Sequence, residues 1–266
     1  MPSAISIVTL LTDFGERDYF VPSMKGVMLG INSQARIIDL SHQVSSHAIE
    51  EAAFLLQSSY RYFPDGTVHV VVVDPGVGSS RRPLLVSTSR YFFLAPDNGV
   101  LSQIYEEESN VEVRAIENKQ YRLDSTGATF DGRDLFAPAA AWLTKGQVPG
   151  SYGRLIRDYV TLPLDAPKMQ QGTLIGKIVY IDHFGNLISN ITPSDLQTLR
   201  SVTKQEPQKI VVGEVEIHGL KTAYLEGATG IPEALVNSNE QLEVFIKQGR
   251  AVDRCHVGVG QRIEVQ

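Results

Sequence analysis

Val70-Val71-Val72-Val73-Asp74-Pro75-Gly76-Val77-Gly78-Ser79-Ser80-Arg81-Arg82 changes character halfway along. Consecutive β-branched residues suit a strand covered on both faces of a sheet. The strand cannot continue past Asp74, because Pro75 lacks an amide donor and Gly76 and Gly78 permit angles that other residues resist. A carboxylate therefore stands at a strand end, with a guanidinium seven residues later on the same loop. In open α/β sheets, ligands bind at such strand ends.

Outward from this stretch, the same grammar repeats. Residues 5–11 read as a strand that stops at Thr12-Asp13-Phe14-Gly15, and a helix follows, with Val21, Met24, Val27, Met28 and Ile31 at helical spacing. Residues 35–40 form a second strand, ending at Ser41-His42-Gln43, and residues 48–60 a second helix. After the valine strand come short strands at 84–87 and 91–94, a break at Ala95-Pro96-Asp97-Asn98-Gly99, a helix from Val100, a strand at 111–116, and a small-residue helix at 135–143. Alternating strands and helices imply a Rossmann-like α/β domain with a mostly parallel sheet over residues 1–150.

Gly, Pro, Tyr and Asp then cluster without a period, and residues 151–168 read as a linker. Residues 169–266 are β-rich, with strands at 172–181, 208–212, 214–217, 234–236, 242–246 and 262–265 and one short helix at 193–199. Short strands separated by Gly-rich turns predict a smaller C-terminal barrel or sandwich.

The 266 residues are ordinary in composition, 42% hydrophobic and 20% charged, which is enough for a substantial core. The net charge of -6 argues against nucleic acid, and the chain has no basic tail. No apolar run approaches the roughly 18 residues of a membrane span, and residues 1–11 lack a signal-peptide pattern. The expectation is a cytoplasmic protein without nucleic acid or membrane as partner. Cys255 is the only cysteine, so neither an intramolecular disulfide nor a Cys-based metal site can form. Its apolar surroundings predict a packed residue.

Generic active-site motifs fail. Gly76-Val77-Gly78 lacks the third glycine of a dinucleotide fingerprint, and there is no Gly-Lys-Ser/Thr phosphate loop and no Gly-x-Ser-x-Gly elbow. The histidines show no metalloprotease pair, and His69, alternating with valines, reads as a strand residue. Asp13, Asp18, Asp74, Asp97, Asp131 and Asp134 could converge on Mg²⁺ or Mn²⁺. Against a metal stand Arg81, Arg82 and Arg133, which would already neutralise these acids.

Five motifs together resemble one family. Leu11-Thr12-Asp13-Phe14-Gly15, Val73-Asp74-Pro75-Gly76-Val77-Gly78, Ala95-Pro96-Asp97-Asn98-Gly99, Thr129-Phe130-Asp131-Gly132-Arg133-Asp134 followed by Phe136-Ala137-Pro138, and Ile181-Asp182-His183-Phe184-Gly185-Asn186 look like the S-adenosyl-L-methionine (SAM) hydroxide adenosyltransferases, relatives of the fluorinase and chlorinase. The resemblance implies a metal-independent hydrolase, with SAM as substrate rather than cofactor, that yields adenosine and L-methionine. It also implies an N-terminal α/β domain, a C-terminal β domain and a homotrimer with sites between neighbouring subunits.

Residue by residue, the resemblance makes Asp74 and Arg81 members of a water-activating triad. The family's third member is a histidine, and here that position is Asp131. Either Asp131 replaces the histidine as base or acceptor, or the protein binds adenosyl compounds with little turnover. Asp13 is implied to accept hydrogen bonds from the ribose diol, Asn186 to read the adenine edge, and Tyr224 to stack on the ring. Asp182 and Ser238, joined by Asp18, would hold the amino-acid end. His47 stands where the fluorinase has tryptophan, and Glu243, Phe245 and Ile246 belong to a segment lining adenine through its backbone. The fluorinase has tyrosine at Asp74 and serine at Gly132. The chlorinase also has glycine there, so the charge of Asp74, which would repel halide, carries the argument against halogenation.

Overall fold

The computed structural model describes residues 6–124, 126–163 and 165–266. Residue 5, the first of the expected opening strand, and residue 164, inside the expected linker, lie outside them. The chain divides into two compact units, Met1–Leu164 and Asp165–Gln266.

The first unit runs β1 (Ile7–Thr12), α1 (Phe20–Ile31), β2 (Arg36–Ser41), α2 (Ile49–Ser59), β3 (Val68–Val72), β4 (Pro83–Ser87), β5 (Phe92–Pro96), α3 (Ser102–Glu107), β6 (Glu112–Ala115) and α4 (Ala137–Thr144). Its six-stranded sheet has the order β2-β1-β3-β5-β4-β6. β1 pairs with β2 and β3 in parallel, and β3 pairs with β5 in parallel. β4 runs antiparallel to β5, to which a short hairpin joins it, and also antiparallel to β6. The valine run behaves as its composition demands, because alternate side chains enter opposite cores. Val70 and Val72 join Leu10, Met24 and Phe136 on one face. Val71 and Val73 join Leu11, Leu56 and Phe93 on the other. His69 is fully buried in this strand, where Nδ1 pairs with Thr9 Oγ1 at 2.8 Å and desolvation pushes the ring down to about 3.

The register aligns the strand ends. Leu11 lies opposite Ser41 and Thr12 opposite Val72. Asp13, His42 and Asp74 therefore leave the sheet along one edge, at the carboxyl ends of parallel strands.

Much of the stretch read as a linker lies against this unit. Tyr152 is buried in the first core, and its hydroxyl donates to Ala139 O at 2.9 Å. Ile156 is buried in the second core. Val160 N donates to Asp97 Oδ1 at 2.8 Å and Leu162 N to Ser102 Oγ at 2.7 Å. Single anchors without helical or strand spacing hold this segment, which is why no period betrays it.

The second unit contains β7 (Lys168–Gln170), β8 (Thr173–Ile181), β9 (Leu187–Ser189), α5 (Pro193–Thr203), β10 (Lys209–Val212), β11 (Val215–His218), β12 (Pro232–Val236), β13 (Leu242–Ile246), α6 (Ala251–Cys255) and β14 (Arg262–Val265). The strands follow the order β11-β10-β14-β8-β9-β13-β12, all antiparallel, with β7 added beside β8. The end strands β11 and β12 approach one another, so the sheet curls into a nearly closed barrel rather than a sandwich. Cys255 is buried in the barrel core beside residues such as Ile178 and Val212. α5 opens with a reciprocal capping box between Thr192 and Asp195. Among the described residues, no helix is long and apolar enough to cross a membrane.

Candidate active site

Asp74 leaves β3 into a loop stitched by its own side chains. Gly76 N donates to Asp74 Oδ1 at 3.2 Å, Ser79 Oγ donates to Gly76 O at 2.6 Å, and Arg81 N donates to Ser79 Oγ at 3.2 Å. Gly78 turns with φ +79°, and a Cβ there would stand 3.0 Å from Ala128 O. The turn folds Arg81 back on Asp74. Arg81 Nε donates to Asp74 Oδ1 at 3.1 Å and Nη2 donates to Asp74 Oδ2, a bidentate pair. The side chains are only 5% and 7% exposed.

Asp131 completes the group from the other side of the loop. Its Oδ2 accepts from the same Arg81 Nη2 at 2.7 Å. Arg122 stands 3.8 Å from Asp131 Oδ1. Asp131 precedes a π-helical turn, Gly132–Phe136. Such widened turns recur at functional sites. Gly132 permits close packing here, since a Cβ would meet Phe130, Met24 and Phe14 at 3.1–3.2 Å.

Two carboxylates thus occupy Nε and Nη2 of one guanidinium. Arg81 Nη1 is buried and meets no hydrogen-bond partner among the described residues. Desolvation lifts the Asp74 carboxyl above its ordinary value despite the opposing Arg81 charge, and Asp131 adds to the rise. The arrangement joins a carboxylate of raised basicity to a cationic donor with a free direction. That combination can orient a water molecule and accept its proton.

Asp13 stands on the adjacent strand end, half-buried, and its Oδ2 accepts from His47 N at 2.9 Å. His47 reaches it by backbone rather than side chain, from a left-handed conformation at φ +66°, and its side chain is exposed. His42, absent from the residues expected in the site, holds both flanks of Asp13. Its Nδ1 pairs with Thr12 Oγ1 at 2.9 Å, and its carbonyl accepts from Gly15 N at 2.7 Å. His42 Nε2 lies 3.0 Å from Asp39 Oδ1, without the alignment of a hydrogen bond. Asp39 also meets Lys25; burial lifts its carboxyl, but Lys25 and His42 outweigh that and leave it below its usual value. A polar residue at a parallel-strand end was the available signal for His42. Asp18 is exposed.

Four of the six acids that could converge on a metal, Asp74, Asp97, Asp131 and Asp134, are matched to arginines, whereas Asp13 accepts from a backbone amide and Asp18 is exposed. Arg82 pairs with Asp97 and Arg133 with Asp134, as Arg81 does with Asp74. Among the described residues, no group of three or more His, Cys, Asp or Glu is placed to hold a metal ion.

In the second unit, Asp182 and Asn186 close the β8–β9 turn. Asp182 Oδ1 accepts from Asn186 N at 2.8 Å and Oδ2 from Asn186 Nδ2 at 2.9 Å. One amide hydrogen of Asn186 is therefore engaged within the chain. Tyr224 is 48% exposed, with its ring edge-on to Phe245 at 5.0 Å and its hydroxyl donating to Glu243 Oε1 at 2.8 Å. Glu243 is buried and also accepts from Asn237 Nδ2 at 3.0 Å. Desolvation raises its carboxyl against those two hydrogen bonds. Asn237 is a second residue missed as part of the site; its Oδ1 also organises the turn carrying the exposed Ser238. The Phe245 and Ile246 side chains are buried, while within β13 the register with β9 covers only Glu243 and Val244. Beyond that pairing, β13 has a ladder partner on β12 alone.

Residues 8–153 match the SAM hydroxide adenosyltransferase N-terminal domain, and residues 176–264 match the C-terminal domain of that name. An (R)-S-adenosyl-L-methionine hydrolase of Salinispora tropica is 30% identical over 97% of each chain. A protein of the same name from Methanocaldococcus jannaschii is 34% identical over 72% of this chain and 69% of its own. The crystal structure of an uncharacterized conserved protein from Thermotoga maritima, 34% identical, superposes with a TM-score of 0.89 over 97% of this chain and 99% of that one. The chain belongs to the SAM hydroxide adenosyltransferase family.

Proposed function

We propose that this protein hydrolyses SAM to adenosine and L-methionine. The observation that carries the reading is the buried Arg81 guanidinium, bidentate on Asp74, shared with Asp131 and, among the described residues, unpartnered at Nη1. Water attacks the ribose C5′ as the carbon–sulfur bond breaks, and its electrons return to sulfur as methionine leaves neutral. Asp74 takes the proton from water, and Arg81 stabilises the developing hydroxide. Asp131 stands in the role of the family histidine. A sulfonium is a good leaving group and needs no acid, so orienting and deprotonating water is the protein's task.

Asp13 receives the ribose diol, with Tyr224 and Asn186 serving the purine. The β13 backbone at Phe245 and Ile246 joins them, and Asp18, Asp182 and Ser238 serve the amino-acid end. His47 acts through Asp13, and Glu243 through Tyr224. No cofactor or metal enters the reaction. The proposal includes a homotrimer, checked by sedimentation, and a cytoplasmic location, which suits a chain whose single cysteine is buried and unpaired. Chromatography of a SAM incubation tests the activity. Adenosine and methionine in equal amounts above the spontaneous rate support it, and their absence with an intact fold overturns it.

A second reading is an adenosyl-binding protein with little turnover. It is favoured by Asp131 alone, which places a second negative charge on the guanidinium where the family has histidine. Calorimetric SAM binding without adenosine release would select it.

A further inference from the structure

The Ala95–Gly99 motif has no place in the reaction above, yet its contacts converge on the ends of the Asp74–Arg81 loop. Val73 lies one residue past β3, where the pairing with β5 has already ended at Val70 and Leu94. Its carbonyl is met instead by Asn98 Nδ2 at 2.8 Å. At the other end, the β4–β5 ladder runs one step beyond Pro83 and Pro96, with Asp97 N donating to Arg82 O at 2.9 Å. Two adjacent residues thus fix the chain immediately before Asp74 and immediately after Arg81.

Asp97 also engages the second arginine of the loop. Arg81 and Arg82 are neighbours of equal charge, and either guanidinium could pair with a carboxylate at the strand end. Arg82 is turned away. Its Nε donates to Asp97 Oδ2 at 2.8 Å, Nη1 to Asp158 Oδ1 at 2.8 Å and Nη2 to Asp158 O at 2.7 Å. Asp97, itself buried, is held by Val160 N. Gly99, at φ +91°, lets Leu162 pack so closely that a Cβ would stand 2.7 Å from its side chain. The segment from Asp158 to Leu162 therefore straps the motif, and the motif clamps the loop.

We propose that Asp97 and Asn98 are positioning residues for the Asp74–Arg81 pair: they pin both ends of its loop and withhold Arg82 from Asp74. The inference rests on the hydrolytic reading only in naming that pair as the one that works on water. A bidentate guanidinium–carboxylate pair tolerates little displacement, and a misplacement of about 1 Å can cost a reaction ~100-fold.

The test compares wild type, Asn98→Asp, Asp97→Asn, Asp74→Asn and the double variant Asp97→Asn/Asp74→Asn. Asn98→Asp keeps the side chain's size, loses its donor to Val73 O and adds a negative charge, whereas Asp97→Asn removes one, so charge alone would move Asp74 in opposite directions in the two variants. Turnover, KM for SAM, calorimetric adenosine affinity, thermal midpoint and the NMR titration of a carbon-labelled Asp74 carboxyl are measured. Asn98→Asp and Asp97→Asn should lower kcat on the order of 10- to 100-fold, with KM and adenosine affinity held within about twofold. Their Asp74 carboxyl should titrate at higher pH, because its guanidinium partner is loosened. In the Asp74→Asn background, Asp97→Asn should cost no further turnover. The proposal is overturned if kcat is retained in both variants, if the costs add in the double variant, or if the Asp74 titration stays in place. A wild type without adenosine release overturns the hydrolytic reading instead, and the Asp74 titration then decides the positioning role.

Discussion

Asp131 meets Arg81 on the nitrogen that already serves Asp74, 2.7 Å from Nη2. The two carboxylates feel each other through that shared atom, and Asp131 is one cause of the upward shift at Asp74. A base works only where it is ionised, so activity should fall as pH drops through the raised Asp74 value. Asp131→Asn removes the like-charge neighbour. The acid limb of its pH–rate profile should therefore move to lower pH, while its maximal rate falls with the lost contact. Adenosine release across pH in the two proteins checks this. A limb that stays in place would mean that Asp131 exerts no charge on the base.

Asp74→Asn keeps the shape of the side chain and removes its basicity. Turnover should fall by about 100- to 10,000-fold, the usual worth of a general base. Adenosine affinity, measured by calorimetry, should hold within about twofold, since the residues proposed for the purine and ribose are others. Retention of wild-type turnover would remove Asp74 from the chemistry.

Exhaustive chelation should leave turnover unchanged. Asp74 and Asp134 each give both oxygens to an arginine, and Asp97 gives Oδ2 to Arg82 and Oδ1 to Val160 N, which occupies the oxygens a hard cation would need. Activity lost on chelation and restored by Mg²⁺ or Mn²⁺ would reinstate a metal reading.

The α/β unit was legible because its signals are local: a valine run, helical spacing, and strands that stop at Asp13 and Asp74. The valines even divide between the two cores as a period of two requires. The strap was not legible, since Tyr152, Ile156, Val160 and Leu162 hold on singly. Short β7, β9 and α6 also escaped, being too brief to show a period. Within the site, the residues that touch one another through side chains left motif signatures. His42 and Asn237 left almost none, because each works partly through hydrogen bonds to backbone around a site residue, which many sequences could supply. His47 illustrates the converse: it meets Asp13 through its amide, a group no side-chain identity reveals.

Glu243 offers a test of stability rather than rate. Burial raises its carboxyl above the ordinary value of 4.5 despite hydrogen bonds from Asn237 and Tyr224. A raised carboxyl binds its proton more tightly in the folded state than in the unfolded chain. Its contribution is therefore most favourable at low pH and is lost as pH rises from the ordinary value through the raised one. Glu243→Gln carries no such titration. Its thermal midpoint relative to wild type should climb as pH rises from about 4 to 7, whatever fixed cost the swapped amide imposes at Asn237. A constant difference between the two melting curves across that range would show that the buried carboxyl ionises as freely as in the unfolded chain, and that Tyr224 and Asn237 fully compensate its burial.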